Sequence, residues 1–355
     1  MESNYAVKDL LLDQCVRYPA LRPQDLLKLL HQSAYGCGHF ITEEDAAWDL
    51  LLREWSQPGP AVGTEPLAGP FCRVHLGGLA QSGLTPRTLF RLFLLSAETP
   101  VSGADALPDK LDALAALDRA GRLPFPAGET AAAIEAWRTA GCPACRHSSE
   151  FRAAYRPTYR VLRREFLPLL PLFAAIDREL AVRKRLLVAL EGGSASGKTT
   201  LADLLARVYG CAVLHMDDFF LRPEQRTPER LAEPGGNVDR ERFWAEVLRP
   251  LSDGEPVRYR RYDCHTQTLE PAVEVPQTPL TVVEGAYSLH PALAEAYDLT
   301  VFLRISPELQ RERLLKRNGP DGAERFLSVW VPLENAYFAA LDPARRCDLI
   351  LEVTE

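Results

Sequence analysis

Residues 186–201 read LLVALEGGSASGKTTL. The apolar run Leu186–Leu190 predicts a buried strand, and a helical pattern follows from Thr200 to Tyr209. Between them, Gly192 to Thr199 satisfies G-x-x-x-x-G-K-[ST] at every fixed position. Strand, glycine loop and helix stand in the order a phosphate-binding loop needs. Backbone N–H groups can turn around phosphate oxygens there, and the helix N-terminus adds partial positive charge. Gly192, Gly193, Ser194, Ala195, Ser196 and Gly197 would cradle a nucleotide's phosphates, with Thr200 beside them. Lys198 would reach the β- and γ-phosphates, and the Thr199 hydroxyl would ligate Mg²⁺. A ligand-free glycine turn is the bland alternative, and the complete motif in its strand–helix context outweighs it.

Composition sets the frame around that loop. The 355 residues predict two or three domains, and 46% hydrophobic content supplies sizeable cores. A net charge of −7 argues against a polyanion binder, so no nucleic-acid partner is expected. No apolar stretch reaches membrane-spanning length, and the opening MESNYAVKDLLLDQ has the wrong charge for a signal peptide, so no membrane partner is expected. Eight cysteines without a secretory signal point to reduced thiols in a cytoplasmic protein.

The two halves of the chain are patterned differently. Residues 181–355 alternate strands and helices, which implies an α/β fold: a doubly wound parallel sheet. Its strands are expected at Leu186–Leu190, Cys211–His215, Leu280–Val283, Leu299–Leu303 and Leu349–Val353, with Val257–Tyr262 adding an edge hairpin. Helices are expected at 199–209, 239–250, 307–317 and 325–340, and 222–238 reads as a loop over the site. Residues 1–180 read as a mostly α-helical domain. Helical patterns run from Ala6 to Tyr18, from Pro23 to the Gly36-Cys37-Gly38 break, and from Pro86, with more at 105–120 and 129–140. Thr42 to Asp45 has the form of a capping box. Residues 56–70 read as a loop, and Phe71–Leu76 as a short extended segment. A long helical pattern, broken near Pro168 and Pro171, spans Pro157 to Arg185.

Two acidic stretches fall where such a sheet binds ligands, at the carboxyl ends of strands. Asp217 and Asp218 follow the second strand in His215-Met216-Asp217-Asp218-Phe219-Phe220. One of them can accept a proton from an attacking hydroxyl, and helix capping is the plain alternative. Glu284 ends the run Val282-Val283-Glu284, the place for a carboxylate that holds Mg²⁺ or its water. A carboxylate that merely ends a strand is the plain alternative.

The phosphate loop, MDDFF, Asn237-Val238-Asp239, Arg260-Arg261-Tyr262-Asp263, VVEGAY and the arginine-rich helix 311–317 occur in one order. Over residues 185–355 this series resembles the uridine kinase family, within the broader group of phosphoribulokinase-like P-loop kinases. The resemblance implies ATP and Mg²⁺ as cofactors and a small-molecule acceptor such as a nucleoside 5′-hydroxyl. It makes Asp217 the catalytic aspartate, and Arg317 with Arg313 the lid arginines over the phosphates. Asp239 would bond ribose hydroxyls, and Tyr262 and Asp218 would line the acceptor pocket. Glu284 and Thr199 would position the metal. His265 lies nearer the Tyr-Asp pair than the family's base-recognising histidine does, and NVDRERF is shorter than the usual segment. These departures face the acceptor, so phosphoryl transfer is better supported than uridine itself. Another riboside, sugar or vitamin-like acceptor is the alternative, as is a nucleotide-sensing switch with little turnover. Oligomeric state stays open, including a homo-oligomer.

The front half carries no such series. Cys142-Pro143-Ala144-Cys145-Arg146-His147 has the form of half a zinc site, with Cys72/His75 or Cys37/His39 as the conceivable remainder. No second Cys-x-x-Cys stands at zinc-ribbon spacing, so buried thiols and core histidines are the favoured expectation.

Overall fold

The computed structural model describes residues 2–41, 43–98 and 103–354. The chain divides into two units, Met1–Asp177 and Arg178–Glu355.

The first unit combines helices with a small sheet. Helices Glu2–Arg17, Pro23–Tyr35, Glu44–Ser56, Pro86–Ala97, Gly103–Arg119, Glu129–Thr139 and Ser149–Tyr155 are formed. Thr85 caps the helix that opens at Pro86, its hydroxyl accepting from the Thr88 N–H. The expected capping box cannot be followed, because Thr42 lies outside the described residues. Glu43 is the N-cap there, and its side chain makes no capping bond. Strands β1 (Thr64–Pro66), β2 (Phe71–His75) and β3 (Tyr159–Arg163) form an antiparallel sheet in that order.

Two expectations are corrected here. Residues 56–70 are a loop that also contains β1. The helical pattern from Pro157 is not continuous helix: 159–163 is β3, 164–169 is a 3₁₀ turn, and helix begins at Leu170. The completely buried β2 offers its backbone groups to both neighbours: the Phe71 carbonyl and His75 N–H bond on the β1 side, and Cys72 and Val74 stand opposite Leu162 and Arg160 of β3. Tyr-Arg-Val-Leu-Arg, with its aromatic and β-branched members, tolerates that pleated position.

In the second unit β4 (Leu186–Gly192), β5 (Ala212–His215), β8 (Leu280–Glu284), β9 (Leu299–Ile305) and β10 (Leu349–Val353) form one parallel sheet, ordered β10-β9-β4-β8-β5. β6 (Val257–Asp263) and β7 (Thr268–Val275) form a separate two-stranded ribbon. The expected edge hairpin is therefore a ribbon of its own and not an edge of the parallel sheet. The alternation of β7, TLEPAVEV, is mostly solvent-facing and includes Pro271, a pattern that suits an exposed ribbon. Every residue of β4 and β8 is buried, as central parallel strands require. Leu187, Leu214, Met216, Phe219, Phe243 and Val283 anchor the core on the side of β5 and β8.

Flanking helices follow the expected order with local departures. Residues 240–253 form helix interrupted by a π turn at Trp244–Leu248. The helix Pro307–Arg325 kinks at Gly319, whose φ is 70°. The stretch 222–238 contains a 3₁₀ turn at Pro223–Gln225 and a short helix at Pro228–Ala232.

Candidate active site

Register brings the site together. β4 and β8 pair Leu190 with Glu284, and β5 pairs His215 with the same Glu284. The carboxyl ends of three adjacent strands therefore meet where the phosphate-binding loop leaves β4. Two glycines in that loop are required by its geometry. Gly192 has φ 152°, and a Cβ there would lie 2.7 Å from the Leu303 carbonyl oxygen. Gly197 has φ 95° at the N-cap of the helix Lys198–Tyr209. Ala195 also takes a positive φ, 60°, so the loop holds one non-glycine residue in a sparsely populated conformation.

Inside the loop Lys198 is buried, and its Nζ donates to the Gly193 carbonyl at 2.9 Å. Thr199 and Thr200 face solvent at the start of the helix. The Thr199 hydroxyl donates to Glu284 Oε1 at 3.1 Å, and His215 Nδ1 lies 2.6 Å from that oxygen. The bond to Glu284 raises the His215 imidazole above its usual range, against the opposing effect of burial. Thr199 and Glu284, two hard oxygen donors side by side, fit a Mg²⁺ ion.

Asp217 occupies a 3₁₀ turn directly after β5. The residue is exposed. Desolvation lifts its carboxyl above the ordinary range, with Glu284 and Glu334 adding to the rise and Lys198 and His215 opposing it. Those interactions place Asp217 in the same charge cluster as the loop. Asp218 is engaged elsewhere: the Tyr259 hydroxyl donates to its Oδ2 at 2.7 Å, and Arg261 lies 3.5 Å away.

Of the two arginines, Arg313 is brought to the loop, where its guanidinium donates to the Ala195 carbonyl at 3.1 Å. Gln310, one turn earlier, donates to the Ser194 carbonyl at 2.9 Å. Arg317 is exposed and lies 5.1 Å over the Phe326 ring.

The remaining expected residues are dispersed. Asp239 is buried, caps the helix at Arg240, and accepts from Gln225 at 2.8 Å. Its backbone N–H donates to the Phe219 carbonyl, which ties it to the segment after β5. Tyr262 is buried, and its hydroxyl accepts from Arg226 at 3.0 Å. His265 stands exposed in the β6–β7 turn, its N–H bonded to Asp263.

Two further carboxylates meet the loop from positions outside the phosphate-binding motif. Glu334, buried in the helix Val331–Leu341, accepts from the Ser194 N–H at 2.8 Å and from its hydroxyl at 2.6 Å. Glu191, fully buried, accepts the N–H groups of Gly192, Tyr287 and Leu289 and the Tyr337 hydroxyl. It staples the start of the loop to the segment after β8. One signal was available for both, a lone acidic residue inside an apolar run: LLVALEGG and VWVPLENAYF.

In the front unit the cysteine–histidine motif is not assembled as a metal site. His147 contacts Asp25 and Tyr159, and the Cys145 thiol donates to the Gln24 carbonyl. Among the described residues no group of three His, Cys, Asp or Glu side chains is placed to hold a metal ion.

The sheet order, the central strand feeding a glycine loop, and the flanking helices define a phosphate-binding-loop α/β protein. No protein-family model matches the chain. Among solved structures it is similar to a possible uridine kinase from Bacillus stearothermophilus, at 23% identity and TM-score 0.37, over 48% of this chain and 90% of that one. A candidate fructose transport system kinase from Silicibacter sp. TM1040 shares 26% identity at TM-score 0.34, over 47% and 89%. Shikimate kinase from Acinetobacter baumannii, in complex with shikimate, shares 18% at TM-score 0.28, over 49% and 87%.

Proposed function

We propose that residues 178–355 transfer a phosphoryl group from ATP to a hydroxyl of a small molecule, a nucleoside 5′-hydroxyl being the first acceptor to test. One observation carries this reading: the Thr199–Glu284 contact of 3.1 Å at the mouth of the loop, with Asp217 in the same charge cluster. Phosphoryl transfer needs little covalent work from the protein; it needs placement and neutralisation of charge. Lys198 and Arg313 supply positive charge at the loop. Asp217, its carboxyl raised above the ordinary range and so made more basic, takes the proton from the acceptor hydroxyl. Thr199 and Glu284 would hold Mg²⁺, which would supply positive charge to offset the charge that develops on transfer. Asp239, Tyr262 and Asp218 are proposed to shape the acceptor side.

The test is an acceptor panel with ATP, read as phosphorylated product by mass spectrometry. Asp217→Asn is expected to abolish transfer and still bind ATP. Full transfer by that variant would remove Asp217 from the role.

A second reading has one observation in its favour. Glu334 sets a carboxylate on the Ser194 N–H and hydroxyl, where it competes with any bound anion. A nucleotide sensor with little turnover would use such a contact as its switch. It would bind ATP and release no ADP in response to any acceptor.

A further inference from the structure

The front unit contains a cavity of about 460 Å³ that the kinase reading does not use. Its lining is divided by chemistry. Leu50, Ala47, Phe93, Pro157 and Val161 give an apolar wall. Five cationic side chains also line it, Lys28, Arg146, Arg152, Arg156 and Arg160, against the single carboxylate of Glu54. Arg160 is buried and reaches Glu54 at 2.5 Å, and its other terminal nitrogen has no hydrogen-bond partner among the described residues. Arg146, Arg152 and Arg156 are exposed and have no carboxylate partner among the described residues.

Behind the cavity lies a buried polar chain. Asp25 accepts from the Ser148 N–H and hydroxyl and lies 2.7 Å from His147 Nδ1. Burial lowers the His147 imidazole to about 4, against the pull of Asp25, so the ring is neutral at pH 7. With Asp25 ionised, Nδ1 carries the proton and donates to it. Nε2 is then the acceptor for the Tyr159 hydroxyl at 2.8 Å. That hydroxyl accepts from Gln32, whose oxygen accepts from Arg73 at 2.8 Å. Arg73 pairs with Glu65, which also receives the Tyr18 hydroxyl. Asp25, Lys28 and Gln32 recur along one helix at intervals of three and four residues, which aligns them on one face. Replacing buried polar groups by apolar ones of the same shape is often neutral or stabilising, so stability alone does not account for so long a buried polar chain. His147 and Tyr159 present the end of this chain in the cavity wall.

We propose that this cavity is a binding site for a small organic phosphate or phosphonate whose body is apolar or aromatic. Guanidinium forks suit the phosphoryl oxygens, and the apolar wall takes the body. The volume is that of a small-molecule site. The fixed tautomer of His147 holds the Tyr159 ring and hydroxyl in place. The proposal stands on the front unit alone and survives if the kinase reading fails.

The test is calorimetry on the full chain with 1-naphthylmethylphosphonate, which resists hydrolysis, and with neutral 1-naphthalenemethanol. The phosphonate is expected to bind and the alcohol to bind at least roughly tenfold more weakly. Lys198→Ala, which disables the phosphate loop, is expected to leave phosphonate binding within about twofold. The double variant Arg152→Gln/Arg156→Gln changes exposed side chains, so the fold is retained. It is expected to weaken the phosphonate roughly tenfold or more and to leave ADP binding within about twofold. Absence of phosphonate binding, loss of it in Lys198→Ala, or indifference to the arginine pair would each overturn the proposal.

Discussion

Glu334 is the residue that most changes how the phosphate loop is seen. Its carboxylate holds two donors of Ser194 that a phosphate would otherwise claim. Glu334→Gln keeps the shape and removes the competing charge. Nucleotide affinity is expected to rise about three- to tenfold, measured by ADP titration. Unchanged affinity would show that the contact is only packing. At the same scale, Arg313 and Arg317 separate: the first touches the loop, and the second lies over Phe326. Arg313→Ala is expected to slow phosphoryl transfer by about tenfold to a hundredfold, and Arg317→Ala by clearly less. The kcat of each variant with a saturating acceptor decides it.

At the scale of elements, β4, β5, β8, β9 and β10 were legible because each is a short apolar run ended by a turn, with helical patterns between. The Lys198–Tyr209 helix was legible from its motif and its glycine at either end. β3 was not. Its partner β2 lies some ninety positions earlier in the chain, and local periodicity carries no record of a long-range ladder. β1 was hidden in a stretch dominated by proline and glycine. β7 was hidden by its own polar alternation. The site shows the same division. Lys198, Thr199, Asp217 and Glu284 stand at motif positions, whereas Glu191 and Glu334 reach the loop through packing. The β3 assignment predicts that Leu162→Pro, at a fully buried position whose N–H faces β2, costs about 3 kcal/mol or more, read as a shift of the urea midpoint. An unshifted midpoint would contradict the pairing.

At the scale of the whole molecule, the front unit carries an acid sensitivity. Burial lowers His31, His39 and His147 to about 4 each. A histidine whose folded value lies below its unfolded value of about 6.5 favours the folded state above that value. The advantage is lost as pH falls toward 4, because the unfolded chain binds the proton first. For His147 alone the loss amounts to at most about 3 kcal/mol. Thermal stability is therefore expected to fall steeply between pH 6.5 and 4. His147→Gln, which cannot titrate there, should flatten that slope. An equal slope in the variant would show that His147 is not a source of it.

In the proposed reaction the P-loop unit moves a phosphoryl group onto a hydroxyl with Asp217 as the base. The most direct measurement follows ADP and phosphorylated product together, with wild type and Asp217→Asn, across a panel of nucleosides and related alcohols. Equal amounts of ADP and product are expected with wild type. In the variant a loss of about a hundredfold or more is expected, with ATP binding retained. Transfer at the full rate in Asp217→Asn, or no acceptor-dependent ADP in wild type, would contradict it.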